Sequence, residues 1–107
     1  MNTGRFEGIL EAQLKRIRDV LVVKAAEYAN EDQLSNFKKA AHLQGIGIPQ
    51  AVGGMMAKHT VSIFDMIASG KPYTMEQWDE KITDHLNYLI LLRAALIENA
   101  ENPQLEV

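Results

Sequence analysis

The chain has 107 residues, 47% of them hydrophobic and 23% charged, a balance that suits one globular domain and excludes disorder as the main state. Eleven Lys and Arg against fourteen Asp and Glu give a net charge of −3, which disfavours binding to duplex nucleic acid, a task that calls for a basic stripe. Without cysteine there is no disulfide framework, thiolate zinc site or Cys nucleophile, and no apolar run approaches the roughly 18–20 residues that cross a bilayer.

Residues 1–7 lack the basic-then-apolar plan of a signal peptide, so a cytoplasmic location is expected, with no membrane partner. The first predicted helix runs from about Phe6 to Tyr28. Leu10, Leu14, Ile17 and Leu21 recur at three and four residues, and the stripe continues through Lys24, placing a cation in register with the buried face. A shorter second helix covers about Gln33 to Leu43, with Asp32 or Asn30 as its N-cap and Gly45 and Gly47 placed to end it. The third starts near Pro49 and stops at Gly70, with Val52, Met56, His59, Ile63 and Met66 along one side; Gly53-Gly54 implies either close helix packing or a kink. The fourth runs from about Thr74 to Asn99. The pattern therefore predicts a single all-α domain over 1–107, a four-helix, bundle-like fold of three long helices and one short, with a frayed tail over 100–107.

In the last helix Ile82, Leu86, Leu89 and Leu96 read as the core stripe. Leu91 and Leu92 lie off it, which makes Leu89-Ile90-Leu91-Leu92 apolar all round, and a helix apolar on every side is buried on every side. Self-association is expected, with Leu91 and Ala95 at the contact between copies.

Four groups of residues could carry chemistry. Glu80, Asp84 and Asn87 share a helix face, with Asp79 nearby, an oxygen-rich set of the kind that holds magnesium; the spacing by itself favours a solvated acidic face near a helix N-terminus. Lys58 and Asp65 sit two turns apart on the flank of the third helix, either a phosphate and metal contact or a plain surface pair. Lys24 with Tyr28 is either paired with an anion or snorkels from the end of its stripe. His59 and His85 read as hydrogen-bonded core residues or as ligands, and no His-x-x-x-His pair supports zinc. Walker, dinucleotide-fingerprint and nucleophile-elbow motifs are missing.

Taken in order, Lys24-Ala-Ala-Glu27-Tyr28-Ala29, Asn36-Phe37 with Ala40, Gly54-Met55-Met56-x-Lys58, Asp65, and then Asp79, Asp84 and Asn87-Tyr88 form a line that resembles small phage and prophage proteins related to the MazG-like all-α nucleoside-triphosphate pyrophosphohydrolases. The resemblance covers about residues 20–95. It implies a helical bundle whose acidic pairs hold magnesium, with a metal-bound water attacking the phosphate chain and releasing pyrophosphate. Glu80 and Asp84 match the later acidic helix and stand as the implied catalytic pair, although their spacing is four and not three. Glu76 and Asp79 have the spacing of three but lie nearer the helix start. Where the earlier Glu-x-x-Glu is expected the chain has Lys38 and Lys39, and Ala29 follows Tyr28 where Gly is usual.

Carried over, the resemblance implies magnesium on Asp65, Asp79, Glu80 and Asp84. Lys24 and Lys58 would contact phosphates, Tyr28 or Tyr88 would stack or hydrogen-bond, and Asn36 and Asn87 would complete the ligand contacts. Lys24, Lys58 and Asp84 are expected to converge on one pocket. Two mechanisms follow: hydrolysis of a nucleoside triphosphate to monophosphate and pyrophosphate, or sequestration of a nucleotide-derived immune signal without turnover. The competing reading is a non-enzymatic, oligomeric helical adaptor or inhibitor of a host protein, in which these polar residues are solvated faces.

Overall fold

In the computed structural model residues 1–25 and 32–102 are described, and all regular structure among them is helical. The elements are α1 (Thr3–Arg18), which runs into a π-helical segment (Asp19–Lys24), then α2 (Ser35–Gln44), α3 (Ile48–Ser69) and α4 (Met75–Glu101). The chain divides into two compact units, Met1–Glu31 and Asp32–Val107.

In the first unit Asn2 caps α1, its Oδ1 accepting from the Arg5 amide at 2.8 Å. No residue of α1 is buried, and Leu10 and Leu14 are about half exposed. The expected continuation as one α-helix to Tyr28 is replaced by the π-helical segment. β-branched Val20, Val22 and Val23 crowd the preceding turn of an α-helix, and wider i→i+5 bonding relieves that crowding while breaking the 3.6-residue register. Lys24 is accordingly exposed rather than set in a buried stripe, and Tyr28 lies outside the described residues.

The second unit holds the core. Leu34, Phe37 and Ala41 from α2 and its approach meet Ile48, Ala51 and Val52 of α3 and Ala95 of α4; Val52 and Ala95 are 0% exposed. α2 starts two residues later than predicted because Asp32 builds a turn ahead of it, with its Oδ1 accepting from the Leu34 amide and its carbonyl from the Ser35 amide. The helix ends in a Schellman turn. Gly45 takes a left-handed φ of 65°, its amide donates to the His42 carbonyl, and the Ile46 amide donates to the Ala41 carbonyl. Ile46 then packs on the core and sets the entry into α3.

Pro49 lies in the first turn of α3, and Gly70 ends the helix at φ 66°. Thr74 and Gln77 form a capping box at the start of α4, the Gln77 amide donating to Thr74 Oγ1 at 3.1 Å and the Thr74 amide to Gln77 Oε1 at 2.9 Å. α4 extends two residues past the predicted end at Asn99. α3 and α4 run antiparallel, since Val52 meets Ala95 in the core while His59 meets Tyr88 and Thr60 meets His85 farther along.

The face of α4 that enters the core differs from the predicted one. Thr83, Asn87 and Ala95 are buried along an i, i+4 ridge, and Leu91 and Leu92 pack against the core. Ile82, Leu89 and Leu96, predicted as the core stripe, are 38%, 42% and 53% exposed. The physical reason is packing distance: a ridge of small and medium side chains lets α3 approach closely, which a row of leucines would prevent. Leu91 and Ala95 are thus core residues and not the expected contact between copies.

Gly53 and Gly54 mark no close helix approach. A Cβ built at either meets nothing within 4 Å, and α3 continues through both. Gly54 is exposed, so Gly54→Ala is expected to stabilise the fold by about 1 kcal/mol through helix propensity alone. Urea denaturation should show the midpoint rising with an unchanged slope.

Candidate functional site

The second unit is tied together by a lysine clamp. Lys38 on α2 donates to Asp32 Oδ2 at 2.7 Å and reaches Glu98 Oε1 on α4 at 2.6 Å, so one ammonium joins the start of α2 to the last turns of α4. The hydrogen bond from Lys38, reinforced by the Leu34 amide, lowers the Asp32 carboxyl below its ordinary value. The same bonds, first to Asp32 and then to Glu98, raise the Lys38 ammonium above its own. Sequence reading placed Lys38 only where an acidic pair was expected. The spacing from Asp32 could have suggested a local ion pair, but Glu98 lies sixty residues away in sequence and carries no local signal.

A polar and aromatic seam runs between α3 and α4. Thr60 Oγ1 and His85 Nε2 lie 2.8 Å apart. The His59 ring stacks on Tyr88 at a centroid distance of 4.8 Å, and Phe37 meets Tyr88 edge-on at 6.1 Å. Tyr88 thus packs against both His59 and Phe37 and is half-buried. Beside it Asn87 is 5% exposed, and its Oδ1 has no hydrogen-bond partner among the described residues.

The remaining predicted site residues are dispersed. Asn36 is exposed on α2, and Lys58 and Asp65 are exposed on the flank of α3. On α4 Glu80 is exposed while Asp79 and Asp84 are half-buried. Asp79 and Asp84, five residues apart, point about 140° from each other at 100° per residue, so one helix cannot turn both to a single ion. Glu80 and Asp84, four residues apart, keep one helix face, and no group of three or more His, Asp or Glu side chains gathers with them among the described residues. Lys58 and Asp84 form no ion pair. Lys24 belongs to the first unit.

A shallow apolar groove of about 390 Å³ lies instead on the outer side of α4, lined by Leu89, Leu92, Arg93, Leu96, Ile97 and Ala100. It lies largely on the face that was expected to be core. No helix among the described residues is long and apolar enough to cross a membrane. No family model matches the chain, and no curated protein or solved structure compared with it does so either.

Two outcomes follow from this geometry. Lys38→Met, which keeps an apolar stem, should lower stability at neutral pH by about 1 kcal/mol, because each of two part-exposed pairs contributes about 0.2–1 kcal/mol. The lowered Asp32 contributes stability above its unfolded value, lost as pH falls below about 4; the raised Lys38 contributes stability below its unfolded value, lost as pH rises above about 10. Chemical denaturation across pH should show the wild-type advantage over Lys38→Met shrinking at both ends. Asn87→Ala, which removes a buried acceptor with no partner without enlarging the ridge, should leave stability within about 1 kcal/mol of wild type, the relieved desolvation offsetting the lost packing; the same denaturation experiment reads the change.

Proposed function

We propose that this chain acts by docking rather than by catalysis, as a helical interaction module whose working surface is the outer face of α4. The observation that carries this reading is the exposure of Ile82, Leu89 and Leu96 in one stripe, flanked by exposed Ile90 and Ile97. Contiguous apolar surface of this kind marks interaction sites, because a chain that leaves it in water forgoes the burial that drives folding. Lys58 and Asp65 stand exposed on α3, and no group of three or more His, Asp or Glu side chains gathers among the described residues, which supports the same reading from the opposite side.

The test is a Leu89→Glu, Leu96→Glu variant, read with a fluorescent apolar dye on protein diluted until it is monomeric. Both side chains are exposed, so the helical circular dichroism should remain and the melting temperature should stay within about 3 °C, less than a 1 kcal/mol change produces. Dye binding should fall several-fold. Unchanged dye binding would mean that this face is not open, and the docking reading would fail.

A second reading, nucleotide binding of the MazG-like kind, draws support from one observation. The buried acceptor of Asn87 lies beside Tyr88, in the Asn-Tyr pair that carries part of the resemblance. Equilibrium dialysis against nucleoside triphosphates with magnesium tests it: binding that Asn87→Ala removes, with the helical spectrum unchanged, supports the reading, and no retention by the wild type ends it.

A further inference from the structure

We infer that the occupant of the α4 face is a second copy of this chain, with the two α4 helices crossing antiparallel about a two-fold axis near Leu86. This rests on the docking reading above and names the partner.

The exposed stripe repeats by heptads. Met75, Ile82, Leu89 and Leu96 recur every seven residues, and Asp79, Leu86, Arg93 and Ala100 recur every seven beside them. Together they form the alternating three-and-four seam by which two helices pack. Large side chains along it are open to solvent: Met75 at 70%, then Ile82, Leu89 and Leu96. The seam is thus an open half of a two-helix contact at Met75, Ile82, Leu89, Arg93, Leu96 and Ala100, with Asp79 and Leu86 half-buried along it.

Charge selects both partner and direction. The seam carries Asp79 and Arg93, two heptads apart with Leu86 midway between them. A parallel pair would set Arg93 against Arg93 and Asp79 against Asp79 inside an apolar contact, where like charges are costly. An antiparallel pair crossing near Leu86 brings Asp79 of each copy beside Arg93 of the other, and the two-fold axis makes the contact twice. The apolar groove then has its filler. It runs from Leu89 to Ala100, and the antiparallel register lays residues 72–83 of the second copy along it, with Met75 and Ile82 as the apolar side chains that fill it. One surface is therefore complementary to itself in both shape period and charge, which an unrelated partner would have to match by coincidence.

The experiment is sedimentation velocity on the full chain at micromolar concentration, with the same samples read by the apolar dye. The wild type should sediment as two chains, and Leu89→Glu or Leu96→Glu as one chain with its helical spectrum intact. Asp79→Arg and Arg93→Asp should each weaken the dimer about tenfold by bringing like charges together, and the double reversal should restore it. Single reversals without effect would overturn the antiparallel register, because a parallel pair already suffers both like-charge contacts. A wild type that sediments as one chain and binds dye on this face would overturn the second copy while leaving the docking surface standing. A single chain that binds no dye there would overturn both.

Discussion

The second unit depends on how closely α4 lies against α3. Val52 and Ala95 are both sealed from water, which requires small side chains at the crossing. The i, i+4 ridge of Thr83, Asn87, Leu91 and Ala95 meets that requirement, and two consequences follow. Polar atoms are carried into the interior, where His85 meets Thr60 and Asn87 leaves an acceptor unmet. The large apolar residues of α4 are turned outward, where they can serve only something outside this fold. Interior polarity and exterior greasiness are two results of one packing choice.

The helices themselves were legible because their ends are written in local chemistry. Pro49 in the first turn of α3, Gly70 after it, and Thr74 with Gln77 at the head of α4 act over a few residues, and the structure uses each of them at an end. The inward face of α4 was not legible. Periodicity reports which side of a helix is apolar, and α4 has apolar residues on both sides; choosing between them requires knowing the partner's distance. The end of α1 escaped for a similar reason, since a run of valines reads as helix or as something wider depending on neighbours that a window does not contain.

The candidate site was less legible still. Lys58 and Asp65 share a flank as the two-turn spacing predicts, but sharing a flank does not enclose a ligand. Asp79, Glu80 and Asp84 looked like a cluster because they are close in sequence; the helix keeps Glu80 and Asp84 on one face but turns Asp79 about 140° away from Asp84. Tyr88 could be named as a functional aromatic, but nothing near it in sequence announces that His59 and Phe37 hold it. The ionic clamp was invisible because its second acid, Glu98, comes from the far end of the chain.

That clamp gives the molecule two seams of different physical kind. α2 is held to α4 by ions at the surface as well as by Phe37 against Tyr88, whereas α3 and α4 meet through apolar and aromatic contact and one uncharged hydrogen bond. Dissolved salt weakens the first kind of seam and does little harm to the second, while cooling weakens the second and spares the first. The same short helix thus becomes the hinge of a local opening whose ease is set by ionic strength, and hydrogen exchange in α2 would report that opening separately from the unfolding of the long hairpin.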